Sequence, residues 1–540
     1  MGKYLNSIVP YETYKQIACM RFFVDKSLLL EDVLNASEKD GQKYLCITRP
    51  RRFGKSIMAS MVGAFLGKAS DSSSIFGQLA VAESKYYKAH LNQHNVIFID
   101  FSRMPRGCNS YGQYMDRIQD GLNQDLAEAY PEAGIDVSGT VWDNLQLIFE
   151  KTEERFVFVL DEWDAVFHLA FISIENRREY LIFLKNLLKD QVYAELTYMT
   201  GVLPIAKYSS GSELNMFVEY DMTVMERFSN FFGFDKREVD SLYDIYLKTT
   251  INPKIIREDL KIWYDGYHTA AGERLFNPRS VVCALANNQL ANYWTSSGPY
   301  DEIFYYVKNN IDDIRDDLVL MVAGEGVKTE IRNYAAVSME LNTKEEIYSA
   351  MVVYGLLTYT NGKVFIPNKE LMDQFRDLLM NRESMGYVYR LANESKRMLD
   401  ATFRRDTKVM TEILEFAHDT ESPILSYNSE TELSALVNLV YLAARDNYRV
   451  EREDKAGKGF VDFIFYPERK NEDALILELK VDSTPEEAIR QIENKNYLLR
   501  FQGKTGEKIK YTGRILAAGI SYSKKTKRHF CKVKVLQEHL

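Results

Sequence analysis

Hydrophobic positions in the first part of this chain follow two alternating patterns. Short, mainly apolar runs are typical of strands buried on both faces of a parallel sheet. These runs cover residues 44–47, 95–101, 156–160 and 196–200. Segments with apolar residues at helical spacing lie between them, at 57–66, 111–129 and 175–188. Strands that alternate with helices of this length predict an α/β domain, with a parallel sheet covered by helices on both faces.

The pattern changes after residue 285. Residues 300–420 are mostly helical by periodicity, but Asn361-Gly362 separates two β-rich runs and predicts a hairpin. The order helix, hairpin, helix predicts a winged-helix-like module. A packing or hinge role is favoured over DNA reading because the module has no dense basic face. Two further β runs and a helix follow. We therefore predict three domains, at 1–285, 286–420 and 421–540.

The first predicted strand leads into a loop that is typical of a phosphate-binding site. Residues 48–56 read Thr-Arg-Pro-Arg-Arg-Phe-Gly-Lys-Ser and precede a predicted helix, whose N-terminus attracts anions. Gly54 would let phosphates approach the backbone, and Lys55 would reach the β and γ phosphates of ATP. Ser56 would place its hydroxyl on Mg²⁺. Arg49 stands where the usual P-loop pattern has its first glycine.

A second half of the nucleotide site follows the run at 156–160. Asp161 and Glu162 come at the predicted carboxyl end of this strand, where ligands bind in open α/β sheets. Asp161 would hold Mg²⁺, and Glu162 would polarise the attacking water. The alternative is a solvated acidic turn. Thr200 ends the next strand, where it would either sense the γ-phosphate or serve as a turn residue.

The arginines of the loop offer a further hypothesis about nucleotide binding. We expect one of Arg49, Arg51 and Arg52 to contact phosphate, or a neighbouring subunit in a homo-oligomer, as arginine fingers do, with Arg49 and Arg52 as the candidates for the nucleotide. The alternative is an arginine in a surface ion pair.

Composition bounds the class of protein. A chain of 540 residues is too long for one hydrophobic core, and 46% hydrophobic with 27% charged residues is ordinary for a globular protein. Five cysteines without a C-x-x-C pair predict a reducing compartment and no structural zinc. Neither a membrane-length apolar run nor a signal peptide is recognisable. We therefore predict a cytoplasmic protein without a membrane partner.

Charge is distributed unevenly along the chain. Residues 490–540 contain thirteen Lys or Arg against three Asp or Glu, although the whole chain has a net charge of −9. An acidic body with a basic C-terminal end predicts a nucleic-acid partner, most simply DNA, that binds at this end. The alternative is a solvated basic face.

The C-terminal region carries a second group of chemistry-bearing residues. Asp462 lies in the β run 459–466, while Glu478 and Lys480 lie on one face of the run 474–481. Two carboxylates that meet across a ladder would hold Mg²⁺, and Lys480 would orient or deprotonate the water that attacks a phosphodiester. The alternative is that these charges form the outward face of an antiparallel hairpin.

Several stretches resemble a known family. They are Phe23-Val-Asp-Lys-Ser27, Thr48 to Ser56, Leu160-Asp-Glu-Trp-Asp164, Met199-Thr-Gly-Val-Leu-Pro204 and Asn277-Pro-Arg-Ser280. Together they resemble the bacterial AAA-ATPase-like family, a P-loop group near the archaeal-type and STAND ATPases. Its members usually have Tyr at the position of Trp163.

The resemblance extends to the C-terminal region, because members of this family commonly end in a PD-(D/E)xK nuclease domain with a restriction-endonuclease-like α/β fold. Gly459–Asp462, Glu478-Leu-Lys480 and the helix with Gln491 that leads to Tyr497 resemble such a domain. The resemblance implies that Glu432 is the helical acidic residue of the nuclease core, beside the metal. It also implies an ATPase that regulates a fused nuclease, with ATP and Mg²⁺ as cofactors. Roles in phage defence or in mobile elements are hypotheses.

Two other functions stay open at this stage. The first is an ATP-switched protein whose nuclease-like domain binds nucleic acid without cleaving it. Asp462, Glu478 and Lys480 are all present, whereas a domain that only binds would more often have lost one of them. The second is a nucleotide-responsive scaffold that binds no nucleic acid.

Overall fold

The computed structural model describes residues 2–205, 213–294, 311–331, 343–381, 387–419, 430–456, 459–467, 469, 471–495, 497–501 and 511–539. The chain divides into two compact units. Unit 1 comprises Met1–Ile303 with Lys328–Leu371, and unit 2 comprises Phe304–Val327 with Met372–Leu540. The predicted domain boundaries at 285 and 420 stay predictions, and the second lies outside the described residues.

Unit 1 contains the predicted parallel sheet. Its five strands have the order β2-β3-β4-β1-β5, and every neighbouring pair is parallel. The strands are β1 (Tyr44–Thr48), β2 (Asn95–Asp100), β3 (Phe156–Asp161), β4 (Ala194–Gly201) and β5 (Val218–Tyr220). Because all strands run the same way, the carboxyl ends of β1, β3 and β4 meet at one edge of the sheet.

Both faces of this sheet are buried, as the unbroken apolar pattern predicts. Phe156, Phe158 and Leu160 of β3 pack into one core, whereas Val157 and Val159 pack into a second core on the opposite face. The α-helices of unit 1 are Val9–Ala18, Leu29–Glu38, Lys55–Leu66, Ser73–Phe76, Tyr87–His90, Tyr111–Ala129, Val141–Thr152, Ile174–Leu188, Lys236–Thr249, Arg257–Tyr264, Pro278–Asn287 and Lys344–Val353.

Short strands complete unit 1, apart from Val327, which belongs to unit 2. β6 (Tyr267–His268) and β7 (Arg274–Leu275) form an antiparallel pair, and β8 (Val327–Lys328) is the third strand of a small sheet. The other two strands of that sheet, β9 (Thr358–Thr360) and β10 (Lys363–Phe365), form the predicted hairpin. Asn361 and Gly362 have φ of 51° and 73°, as a tight hairpin turn requires.

Unit 2 contains a mixed five-stranded sheet in the order β11-β12-β13-β14-β15. Its strands are β11 (Tyr448–Ala456), β12 (Gly459–Pro467), β13 (Ala474–Val481), β14 (Ile515–Ser523) and β15 (Arg528–Gln537). Only β13 and β14 are parallel among the neighbouring pairs of this sheet. The α-helices are Ile311–Val322, Tyr387–Asn393, Ser395–Arg404, Thr407–Asp419, Glu430–Val440 and Pro485–Asn494. The helix Lys369–Asn381 begins in unit 1 and ends in unit 2.

The aromatic run 228–234 is β-like in its composition, but Ser229–Phe231 forms a 3₁₀ turn. The turn begins at Phe228, whose φ of 67° lies outside the range of a β-strand.

Candidate active sites

The loop between β1 and the helix Lys55–Leu66 has the geometry of a phosphate-binding loop. Gly54 is the last residue before the helix and has a φ of 90°. Residues other than glycine rarely adopt this backbone conformation. Lys55 is buried, and its Nζ donates hydrogen bonds to the carbonyl oxygens of Arg49 at 2.9 Å and Pro50 at 3.1 Å. The lysine is therefore held inside the loop, next to the free N–H groups of the helix.

The charges of nearby carboxylates affect the pKa of Lys55. Burial lowers the pKa of Lys55, and the charges of Glu162, Asp164 and Asp161 oppose that effect. Acidic side chains at and after the end of β3 therefore favour the charged form of this buried ammonium group.

Asp161 and Thr200 meet at the carboxyl ends of two neighbouring strands. The hydroxyl of Thr200 donates a hydrogen bond to Oδ1 of Asp161, and Ser56 also bonds to this carboxylate. Burial raises the pKa of Asp161 to about 6, and these two hydroxyl bonds act in the opposite direction. Asp161 and Ser56 thus offer adjacent oxygen ligands of the type that Mg²⁺ prefers. Thr200 is fully buried rather than part of an exposed turn.

Glu162 follows in a strained backbone conformation. Its φ is 51°, which is uncommon for a residue with a side chain and marks a sharp turn directly after β3. Burial raises the pKa of Glu162, whereas the charge of Lys55 lowers it. The side chain is only partly buried, so it is accessible to a water molecule at the strand end.

Arg49 and Arg52, two of the three arginines in the loop, lie in different surroundings. The guanidinium of Arg49 is buried, donates to the carbonyl oxygens of Thr48 and Tyr220 at 2.7 and 2.6 Å, and lies over the ring of Phe232. Its carbonyl oxygen, rather than its guanidinium, contacts Lys55. The predicted phosphate contact by Arg49 would require this buried group to leave its partners. The alternative of an exposed ion pair does not fit either.

Arg52 is half-buried and has a φ of 69°. Its Nη1 donates a hydrogen bond to the carbonyl oxygen of Tyr293. Burial lowers the pKa of Arg52, as does the charge of Arg279, while Glu370 raises it. Arg52 therefore connects the phosphate-binding loop to a more distant part of unit 1.

No role for Asp164 follows from the sequence, although this residue belongs to the stretch Leu160–Asp164 that resembles the family. This buried carboxylate accepts hydrogen bonds from the backbone N–H groups of Val202 at 3.0 Å and Leu203 at 2.8 Å. A Cβ on Gly201 would lie 2.5 Å from atoms of Trp163. Asp164 and Trp163 thus fix the segment that follows Thr200. A second acidic residue three positions after Asp161 was the only signal in the sequence.

The second cluster lies in the sheet of unit 2. Phe463 pairs with Leu477, so Asp462 and Glu478 are opposite one another on β12 and β13. Oδ2 of Asp462 accepts a hydrogen bond from the backbone N–H of Leu479 at 2.7 Å. Nζ of Lys480 lies 3.2 Å from Oε1 of Glu478. The predicted meeting of Asp462, Glu478 and Lys480 is thus present in the structure.

Two residues from the following segment join this cluster. Nε2 of Gln491, in the helix Pro485–Asn494, donates to Oε1 of Glu478. Tyr497 is buried at the start of the 3₁₀ turn Tyr497–Phe501 and bonds to Gln491. Burial raises the pKa of Tyr497, so its hydroxyl stays neutral.

Glu478 is the residue that best indicates a cation site. Burial and the charge of Asp462 raise its pKa to about 7, although the charge of Lys480 acts in the opposite direction. Among the described residues, Oε2 of Glu478 has no hydrogen-bond partner although it is buried. An unsatisfied carboxylate oxygen beside a second carboxylate fits a Mg²⁺ ion, which prefers oxygen ligands.

Glu432 lies in the helix Glu430–Val440, which packs against β13. In the described parts of the chain, no three His, Cys, Asp or Glu side chains are grouped closely enough to hold a metal ion. Glu432 therefore does not join Asp462 and Glu478 in such a group, and its predicted metal role stays a prediction.

The basic C-terminal end is partly neutralised within unit 2. Lys532 pairs with Glu486 at 3.0 Å, Lys534 pairs with Glu493, and Arg514 pairs with Asp473. Part of the positive charge that the sequence counts is therefore balanced by acidic side chains nearby.

Comparison with protein families agrees with the two clusters. Residues 11–210 match the family model described as predicted AAA-ATPase, and residues 432–525 match the model of the PD-(D/E)XK nuclease superfamily. The chain therefore contains an AAA-ATPase-like domain followed by a PD-(D/E)XK nuclease-superfamily domain. This result confirms the resemblance and the predicted fold class.

Solved structures give distant likenesses. The Walker-type ATPase PABY2304 of Pyrococcus abyssi is 12% identical, with 65% of this chain and 94% of that chain covered and a TM-score of 0.35. The STAND protein PH0952 from Pyrococcus horikoshii, which has a tetratricopeptide repeat sensor, is 14% identical, with 78% and 54% covered and a TM-score of 0.25. Aeropyrum pernix ORC1, solved in complex with DNA, is 12% identical, with 65% and 91% covered and a TM-score of 0.26.

No curated protein matches the sequence. The described helices include none with both the length and the apolar character needed to span a bilayer.

Proposed function

We propose that this protein is an ATP-binding ATPase that regulates a fused Mg²⁺-dependent nuclease acting on DNA. The observation that carries the proposal is the partly buried cluster of Asp462, Glu478 and Lys480, in a chain that also has the Lys55 and Asp161 pair. Each cluster combines a lysine with carboxylates that would hold a metal ion. The protein would act in the bacterial cytoplasm, in defence or mobile-element biology.

In the ATPase site, the N–H groups of the loop and the ammonium of Lys55 would bind the β and γ phosphates. Ser56 and Asp161 would hold Mg²⁺, which neutralises phosphate charge when it is bound. Glu162 would polarise the attacking water. Thr200, through its bond to Asp161, would respond to the γ-phosphate.

In the nuclease site, Asp462 and Glu478 would hold the metal ion, which supplies Lewis-acid stabilisation of the phosphodiester when it is bound. Lys480 would orient the attacking water and stabilise negative charge on the phosphate. Gln491 would keep Glu478 in place, and Tyr497 would support Gln491.

A second function is favoured by one contact. Oε1 of Glu478 already accepts hydrogen bonds from both Lys480 and Gln491. If the bond from Lys480 persists when DNA is bound, the ammonium group that would orient the attacking water stays on Glu478. The domain would then hold nucleic acid under the control of ATP without cutting it.

The test is an incubation of the purified protein with supercoiled, linear duplex and single-stranded DNA and with RNA. Each form is assayed with and without ATP and Mg²⁺. Glu162→Gln is expected to bind ATP and to lose hydrolysis, so its cleavage pattern separates control by binding from control by turnover. Glu128→Gln, an exposed glutamate of the same unit, is the matched control.

Cleavage of DNA that requires Mg²⁺ and changes with nucleotide would support the proposal. Protein that binds DNA and cuts no form in any nucleotide state would support the second function instead.

A further inference from the structure

A buried carboxylate in unit 1 has no part in the chemistry described above. Glu370 is fully buried, and its Oε1 accepts hydrogen bonds from the backbone N–H groups of Tyr293 at 2.6 Å and Trp294 at 2.7 Å. The hydroxyl of Ser280 lies 3.0 and 2.9 Å from its two oxygens. A carboxylate with this many donors fixes the segment that contacts it.

The same segment is bonded to the phosphate-binding loop. Arg52 donates to the carbonyl oxygen of Tyr293, so Tyr293 contacts Arg52 through its C=O and Glu370 through its N–H. The amide of Asn292 donates to the backbone oxygen of Glu370 at 2.9 Å. We call residues 291–294 the bridging segment. It joins the loop to Glu370 through direct hydrogen bonds at each step.

Glu370 also lies at the beginning of a helix with a special position in the chain. The helix Lys369–Asn381 starts in unit 1, and its residues from Met372 onwards belong to unit 2. The side chain of Asn368 accepts a hydrogen bond from the N–H of Leu371 at 3.2 Å and so caps this start. A change at Glu370 therefore acts on the first turn of the one described helix that both units share.

We propose that Arg52, the bridging segment and Glu370 transmit nucleotide occupancy from the phosphate-binding loop to the helix Lys369–Asn381. This inference rests on the proposed ATP binding and deepens it. It identifies the residues through which nucleotide binding would affect structure outside the site. Glu370 is a positioning residue in this scheme. It acts through the bridging segment and does not touch the nucleotide.

The charges around Arg52 indicate how nucleotide binding would act on its bond to Tyr293. Arg52 and Arg279 repel each other, and Glu370 compensates this repulsion through its own charge. A nucleotide phosphate near the loop would provide a stronger partner for Arg52. The hydrogen bond from Arg52 to Tyr293 would then weaken. The hydrogen bonds from the bridging segment to Glu370 would change as a result. Burial raises the pKa of Glu370 to about 7, so its charge depends on these partners.

The test is hydrogen exchange of the full chain, followed by mass spectrometry of peptides that cover 291–294 and 369–381. Exchange is measured with and without a non-hydrolysable ATP analogue. We expect the analogue to change exchange in both peptides of the parent by about fivefold or more. In Glu370→Gln, the change at 369–381 is expected to shrink to less than about half, with analogue affinity within about threefold of the parent by calorimetry.

Two further variants sharpen the result. Arg52→Gln removes the first link and is expected to reduce the response of both peptides. Glu128→Gln, an exposed glutamate of unit 1 outside the bridging segment, is the matched control, and its response should match the parent.

The outcomes separate this inference from the proposed function. A parent that binds the analogue without an exchange change at 369–381 overturns the inference and leaves ATP binding intact. Equal responses in the parent and Glu370→Gln also overturn it. A parent that binds no analogue overturns ATP binding and the inference together.

Discussion

The two candidate active sites use the same kinds of residue but assemble them differently. In the ATPase site, the functional side chains come from separate elements: Lys55 follows β1, Asp161 ends β3 and Thr200 lies in β4. In the nuclease-like site, Glu478 and Lys480 are two residues apart on β13, and Asp462 lies opposite on β12. The first site therefore forms only when several strands of the parallel sheet are in place. The second site requires only that β12 and β13 pair.

The lysines also differ in what holds them. Lys55 donates to two backbone carbonyl oxygens, whereas Lys480 donates directly to Glu478. Hydroxyl groups satisfy Asp161, while Oε2 of Glu478 has no partner among the described residues. The phosphate site is thus organised before a cation binds, and the nuclease-like site keeps an unsatisfied acceptor. A metal ion should alter the second site more than the first.

The largest expected effect is on DNA cleavage. Asp462→Ala and Glu478→Ala should each lower the cleavage rate by about a thousandfold, because the metal ion would be held too weakly. Raised Mg²⁺ or added Mn²⁺ should recover part of that rate. Lys480→Ala should lose a similar factor without recovery, since the metal still binds while the water lacks its cation. Metal titration of the cleavage rate measures both effects.

The matched control for this series is Glu538→Gln, an exposed carboxylate of the same unit. Its metal dependence should equal that of the parent. Recovery of Lys480→Ala by metal to the same degree as Asp462→Ala would contradict the separate roles of the two residues.

The next effect concerns nucleotide affinity. Lys55→Ala should weaken ATP binding by about a hundredfold, because a buried ammonium group at the phosphates is lost. Calorimetry measures the change, with Lys68→Ala as control because that exposed lysine pairs with Glu154 away from the loop. A Lys55→Ala protein that binds ATP as tightly as the parent would refute the phosphate-binding assignment.

A smaller effect concerns the pH dependence of stability. Burial raises the pKa of Glu370 to about 7, as it does for Glu478. Glu370 has partners for both oxygens. Its folded-state pKa lies above the ordinary value of 4.5, so its contribution to stability is complete below pH 4.5 and is lost as the pH rises through 7. Relative to Glu370→Gln, the parent should lose on the order of 2 kcal/mol of unfolding free energy between pH 5 and pH 8.

Urea unfolding of both proteins at the two pH values measures this difference. A parent and a Glu370→Gln protein whose unfolding free energies change in parallel between pH 5 and pH 8 would show that Glu370 does not titrate there.

Much of the fold could be predicted because its signals are local. The apolar runs predict β1, β2, β3 and β4. Asp235 caps its helix through reciprocal bonds with Glu238, a pair only three positions apart. The Asn361-Gly362 turn has the positive φ angles that its residues favour. Each of these features depends on neighbours within a few positions, so one stretch of sequence contains the information.

The parts that could not be predicted depend on distant partners. Arg49 is buried because Tyr220 and Phe232, far along the chain, surround its guanidinium. Glu370 bonds to Ser280, which is ninety residues earlier. The nuclease-like pair could be predicted because it needs no distant partner. Glu478 and Lys480 are close in sequence, and strand alternation alone places them on one face.

The smallest expected effect tests whether the basic C-terminal end contacts DNA. Lys525 and Lys527 are exposed, whereas Lys532 pairs with Glu486. Each Lys→Ala change removes one positive charge, so the long-range attraction falls equally in all three variants. A lysine that touches a phosphate should also reduce the salt slope of binding by about 1, because one counterion fewer is released. We expect Lys525→Ala and Lys527→Ala to show this change with about a threefold loss of affinity, and Lys532→Ala to keep the parent's slope. Binding measured at several salt concentrations decides the matter: equal slopes in all three variants would mean that net charge, rather than contact by Lys525 and Lys527, attracts DNA to this end.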